Sequence, residues 1–149
     1  GMLDVLKAKI AKYGVRNVQA LQVDAGPGKV PAGRYDLITS SMTLHHVQDV
    51  GPLLERLFAL LAPGGVLCIA DLDLDDGRFH SDNTGVFHFG FDRDRLQAAF
   101  LKAGFEGIRT RTAAEVVKPA GEGETRTFTV FLMIGSKNTD RKGAKREKS

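Results

Sequence analysis

Close together within residues 40–46, Ser40 and Ser41 offer hydroxyls, Met42 a thioether, and His45 and His46 imidazoles. Hydroxyls can hold a polar group of a ligand, and an imidazole exchanges a proton near neutral pH or ligates a metal. Asp24-Ala25 closes an apolar run at Val18 to Val23, offering a carboxylate to another polar group. Two more histidines, His80 and His88, fall in Asp71 to Phe91, together with Asp71, Asp73, Asp75, Asp76 and Asp82. No two histidines show the spacing of a metal-binding pair, and the side chains of the adjacent His45 and His46 are expected to diverge. No metal site is therefore expected. The lone Cys68 lies in an apolar run, so it offers no disulfide and reads as an inert thiol of the core.

The elements that would position these groups follow from period and punctuation. Tyr35 to Thr39 is a short, largely apolar run expected to form a strand buried on both faces. Leu53, Leu54, Leu57, Phe58, Leu60 and Leu61 recur at helical spacing behind Pro52. Pro63-Gly64-Gly65 is expected to stop that helix, and Val66 to Ala70 to form a second buried strand. Strand, helix and strand within 38 residues make one βαβ crossover with parallel strands. Ligands of open α/β sheets bind beyond the carboxyl ends of the strands, where residues 40–46 fall. The competing reading is that Ser40 and Ser41 only end a strand and that His46 packs beneath the helix.

Around this unit, Leu3 to about Tyr13 reads as a helix stopped by Gly14, Val18 to Val23 as a strand, and Pro27 to Gly33 as a loop. Asp71 to Phe91 reads as a long loop, a kind usually functional or mobile. Asp92 is placed to cap a helix with Leu96, Ala99, Phe100 and Ala103 on its apolar face, closed by Gly104. Ile108 to Val117 and Thr125 to Ile134 form a final strand pair joined through Lys118 to Glu124.

The 149 residues, 42% apolar and 26% charged, suit one domain with a proper core. Residues 137–149 hold six basic and two acidic residues, a net +4, which leaves the rest of the +3 chain at −1. The expected organisation is a domain over 1–136 and a basic disordered tail over 137–149. No aromatic residue interleaves the tail's charges, so nucleic acid is not the expected partner. Without a membrane-spanning run or a secretory pattern, a cytoplasmic protein is the simplest expectation.

Four stretches, taken in order, resemble the class I S-adenosylmethionine-dependent methyltransferases with small-molecule substrates. They are Tyr35-Asp36-Leu37-Ile38 running to Leu44-His45-His46-Val47-Gln48-Asp49, Leu61-Ala62-Pro63-Gly64-Gly65-Val66-Leu67, Gly90-Phe91-Asp92, and Lys102-Ala103-Gly104-Phe105. Pro-Gly-Gly alone occurs in many folds, whereas the combination is more specific. That family opens with a strand, a Gly-x-Gly-x-Gly loop and a helix, and the sequence contains no such loop. The fold expected is therefore α/β: a truncated Rossmann-like methyltransferase fold lacking the first strands, with a mostly parallel sheet ending in an antiparallel hairpin.

The resemblance also implies roles. Asp24, with the Ala25 backbone beside it, would bind the adenine amino group of S-adenosylmethionine, and Ser40, Ser41 and Met42 would flank its methionine portion. His45 and His46 would face the substrate, and His88 would lie in the loop that covers it. If the acceptor must lose a proton, His45 or His46 is the expected base, with His88 third. Without the glycine loop, cofactor binding is expected to be impaired. The alternative is a non-catalytic remnant acting as a structural or binding module, able to dimerise through an exposed edge of the Tyr35–Thr39 strand. A nicotinamide dehydrogenase is disfavoured because its glycine fingerprint is missing too.

Overall fold

The computed structural model describes residues 1–23, 33–121 and 123–139. They fall into two units, 1–32 and 33–149. In the first, helix α1 runs from Met2 to Lys12, and Gly14 follows at φ +61°. None of its side chains is buried. The expected strand at Val18 to Val23 does not form: residues 15–23 carry no strand, and Val18, Leu21 and Val23 are exposed. A strand exists through its ladder, and no described residue pairs with these. Asp24 and Ala25, and most of the 27–33 loop, lie outside the described residues.

The second unit is a four-stranded mixed sheet in the order β1-β2-β4-β3. Strand β1 (Tyr35–Ser41) pairs in parallel with β2 (Leu61–Leu72), joined by helix α2 (Val50–Leu60), so the expected crossover is present. The β2–β4 and β3–β4 pairings are antiparallel, with β3 spanning Glu106–Gly121 and β4 Glu124–Ser136. Of the three described pairings, the parallel one is thus β1–β2 alone. β1 is an edge strand rather than one buried on both faces: Tyr35 and Leu37 are exposed.

Two boundaries differ from the sequence expectation. Helix α2 ends at Leu60, and Leu61 already has extended backbone at ψ 139°. Pro63-Gly64-Gly65 therefore does not stop the helix. It forms an irregularity within β2, between the pairs Tyr35↔Leu61 and Leu37↔Val66. The amide of Gly64 donates to the carbonyl of Lys137 and the amide of Lys137 to that of Gly65, each at 2.9 Å. The Lys137 ammonium caps the helix end, donating to the carbonyls of Phe58 and Leu61 at 3.0 Å. The last hairpin is also longer than expected, because Lys118 and Pro119 pair with β4; β3 is an edge strand, where proline's missing donor is tolerated.

Helix α3 (Arg93–Ala103) begins and ends as its sequence signals require. The Asp92 carboxylate accepts from the amide of Arg95 at 3.0 Å, and Gly104 takes the left-handed conformation at φ +103°. Leu54 of α2 and Leu96 and Phe100 of α3 pack on Leu67 and Ile69 of β2 and on Phe131 and Met133 of β4. Burial of these side chains, each worth about 1.5–3 kcal/mol, is the main stabilising contribution. A smaller cluster, Leu72, Phe128 and Val130, gathers Met42, Phe79 and Val116 near the carboxyl end of β2. Cys68, in β2, is half-buried. No helix among the described residues is long and apolar enough to cross a membrane.

Candidate functional site

Parallel pairing in register brings the carboxyl ends of β1 and β2 together: Ser40 lies beside Ile69 and Ser41 beside Ala70. The chain turns at Met42, which has φ +51° and donates its amide to the Ala70 carbonyl at 2.9 Å. A single 3-10 turn, Leu44–His46, follows.

Alternation along β2 places Asp71 on the face of Leu67 and Ile69, where all three are fully buried. A carboxylate there needs a full set of donors. It has them: the amide of Leu44 donates to Oδ2 at 2.8 Å, the amide of Leu72 to Oδ1 at 2.8 Å, and His45 Nδ1–H to Oδ1 at 2.6 Å. His45, 1% exposed, is thus held in the tautomer whose Nε2 carries a lone pair. The Nε2 of His80 lies 3.1 Å from that atom.

The loop between β2 and α3 supplies the remaining groups. Its main chain docks on the 3-10 turn, with the amides of Phe87 and His88 donating to the His45 carbonyl at 2.9 and 3.2 Å. His46 Nδ1–H donates to the Gly85 carbonyl at 2.8 Å. Rings 45 and 46, expected to diverge, instead sit with centroids 4.2 Å apart, because the tight turn and these two hydrogen bonds rotate them together. His80 is positioned by its neighbour. The Phe79 ring packs edge-on to Phe128, centroids 5.2 Å apart, beneath the Lys118 ammonium, which also donates to the Phe79 carbonyl.

The hairpin β3–β4 extends past the end of β2 and so braces this loop; Arg126 clamps Asp76 at 2.7 and 2.8 Å. The other loop aspartates are likewise engaged within the fold. Asp75 accepts from the amides of Gly77 and Arg78, and Asp82 accepts from the Thr84 amide and hydroxyl.

His88 stands apart from the other three histidines. Its Nε2–H donates to the carbonyls of Val47 at 3.0 Å and Gln48 at 3.3 Å, and its ring lies 5.0 Å from that of Phe91. It lines a cleft of about 440 Å³ with Val50, Leu74, Phe91, Arg95 and Leu96. The structure thus gathers His45 and His46 but sets His88 at a second place. It also adds two groups to which the sequence reading gave no role, Asp71 and His80. The signal for Asp71 was present: a lone acid at the end of an alternating buried strand, one residue past the partner of Ser41.

Asp73 and Arg93 tie the loop's two ends. Arg93 donates to both carboxylate oxygens of Asp73 at 2.6 and 2.5 Å, and Thr129 Oγ1 donates at 2.6 Å. Burial pushes the Asp73 carboxyl up, but the hydrogen bonds from Arg93 and Thr129, with the guanidinium charge, outweigh it and hold the pKa below its ordinary value of 3.8. A folded-state pKa lower than the unfolded one means stability present in full above the ordinary value and lost as pH falls below it. In urea melts, Asp73→Asn is expected to lower stability by about 2 kcal/mol at neutral pH. The difference from the parent should shrink below about pH 4, where the parent's carboxylate also protonates.

Comparison with known proteins agrees with this architecture. A family model described as "Methyltransferase domain" matches residues 2–110. An uncharacterized methyltransferase of Schizosaccharomyces pombe is 33% identical over 103 residues, covering 60% of this chain and 36% of its own. A demethylmenaquinone methyltransferase of Lactococcus lactis is 33% identical over 69 residues, 46% of this chain and 27% of its own. The chain thus spans about a third of the length of these two relatives. Among solved structures, the YcgJ protein of Bacillus subtilis superposes with a TM-score of 0.72 at 15% identity, over 92% of this chain and 78% of its own. Phosphoethanolamine N-methyltransferase 2 of Haemonchus contortus, solved with S-adenosyl-L-methionine, gives 0.57 at 14% identity, over 77% of this chain and 36% of its own. The second unit's crossover and its antiparallel closing strands are thus the frame of a known fold, and the chain belongs to the methyltransferase domain family.

Proposed function

We propose that this chain serves S-adenosylmethionine-dependent methyl transfer to a small-molecule acceptor, at the carboxyl ends of β1 and β2. The observation that carries the reading is the register Ser41↔Ala70, which sets Ser40, Ser41 and Met42 beside Asp71 and the His45–His46 turn, in a chain of this family. The donor set suits the methionine portion of the cofactor: two small hydroxyls and an uncharged thioether, with Ser40 and Met42 half-buried. Asp24 and Ala25 would hold the adenine.

S-adenosylmethionine, when bound, supplies an electrophilic sulfonium methyl group. The chain's own task is to align the acceptor and exclude water. Where the acceptor must shed a proton, His45 is the best-prepared base, since Asp71 fixes its Nδ1–H and so leaves the lone pair on Nε2, the atom now paired with His80 Nε2. His46 is the second candidate and His88, across the loop in the 440 Å³ cleft, the third.

Calorimetric titration of S-adenosylhomocysteine into the full chain tests this. Saturable binding is expected, weakened roughly tenfold by Asp24→Asn through loss of a charge-assisted hydrogen bond. No heat up to millimolar ligand would overturn it. A specific observation favours the second reading, a dimeric non-catalytic module: Leu37, 59% exposed, lies on an edge strand whose outer side pairs with no described residue. That reading gains if the ligand fails to bind and sedimentation shows a dimer at micromolar concentration.

A further inference from the structure

We propose that His45, His46 and His80 form a three-imidazole site for a divalent first-row metal ion, zinc above all. Their donor nitrogens lie within 4.8 Å of one another. The tightest pair, His45 Nε2 and His80 Nε2, is 3.1 Å apart. Two nitrogens each bound at about 2.0–2.1 Å to one tetrahedral zinc stand about 3.3 Å apart, so this pair is already at ligand spacing. His46 is exposed, and its donor nitrogen belongs to the same group of three.

Three further features distinguish the cluster from a chance gathering. The Nδ1–H of His45 is bound to the buried Asp71 carboxylate, the carboxylate–histidine arrangement that orients a metal-binding imidazole and raises its basicity. The Nδ1–H of His46 is bound to the Gly85 carbonyl, which leaves the lone pair on its Nε2. His80 is held beside His45 by its neighbour Phe79, whose ring packs edge-on to Phe128 beneath the Lys118 ammonium.

Three imidazoles with no fourth protein ligand among the described residues make a site with an open position, and imidazole sets suit zinc, copper and nickel. That position would accept water or an anionic oxygen, nitrogen or sulfur atom of a small molecule. The inference goes beyond the methyl-transfer reading and does not rest on it. The two share one lone pair, since His45 Nε2 cannot bind a metal and accept a proton at once.

The test uses tag-free full-length chain, stripped with EDTA and titrated with zinc chloride by calorimetry, without cofactor or acceptor. Binding of one equivalent with submicromolar affinity is expected. His46→Ala and His80→Ala, both outside the sealed core, should each weaken it roughly a hundredfold, and His88→Ala should leave it unchanged. Cobalt loading should give the visible bands of a tetrahedral ion, lost in His80→Ala. Circular dichroism of each variant reports whether it is folded. Zinc binding weaker than about 100 μM, or binding that survives both His46→Ala and His80→Ala, would overturn the proposal. Because no cofactor is present, either result leaves the methyl-transfer reading to its own titration.

Discussion

Asp71→Ala is expected to destabilise the protein by about 3–5 kcal/mol, the range for stranding buried partners of a charged group. The carboxylate is fully buried and receives three donors. Two of them are backbone amides of Leu44 and Leu72, residues exposed by no more than 2%. Each amide left unpaired costs about 1–3 kcal/mol, and no solvent reaches it to compensate. Asp71→Asn should cost less, because one amide oxygen still accepts, although its NH₂ then faces a backbone donor. Urea denaturation followed by circular dichroism gives both values. A loss below about 1 kcal/mol for the alanine variant would mean that the carboxylate does not organise this strand end. The same variant should release His45 from its fixed tautomer and weaken zinc binding by about 10–100-fold.

Gly90→Ala is expected to cost about 4 kcal/mol or more, from sterics alone. Gly90 has φ +75°, and a Cβ there would stand 2.1 Å from the carbonyl oxygen of Asp73 and 2.5 Å from its carbon. These are backbone atoms, so no side-chain rotation relieves the overlap. The neighbouring residues form the bridge Asp73↔Phe91, reinforced by the Phe91 amide donating to the Leu72 carbonyl at 2.9 Å. Accommodating a methyl group therefore means parting the loop's two ends and loosening the Arg93–Asp73 pair with them. The check is a thermal melt together with proteolysis within residues 73–91. A variant as stable and as resistant as the parent would show that the two ends are not held together in solution.

The legible part of the fold was whatever short-range chemistry specifies. Asp92 and Gly104 announced α3 because a cap and a left-handed stop are local devices. The β1–α2–β2 crossover followed from period and length, and its parallel sense from the helix between the strands. What escaped depends on distant partners. Val18 to Val23 has the composition of a strand, yet composition supplies no neighbour to pair with. Pro63-Gly64-Gly65 reads as a break, and only the ladder with β1 and the two bonds to Lys137 draw it into β2.

The site was half visible for the same reason. Ser40 to His46 could be placed because a strand end is a local feature. His80 belongs with His45 only through Phe79, Phe128 and Lys118, residues that sequence separates by up to 49 positions. Adjacent histidines do point apart in a regular strand; in a 3-10 turn with each Nδ1 anchored they do not.

Helix α2 passes into β2 with no intervening residue, and α3 reaches β3 through Gly104 and Phe105 alone. The opposite end of the sheet carries the long connections, 42–49 and 73–92, which bear all four histidines. Insertions and deletions are thus penalised at one pole and permitted at the other. A lineage built on this frame can lengthen, shorten or rewrite its recognition loops over many generations while the hydrophobic scaffold stays in register. Diversity of chemistry should accumulate on that single side.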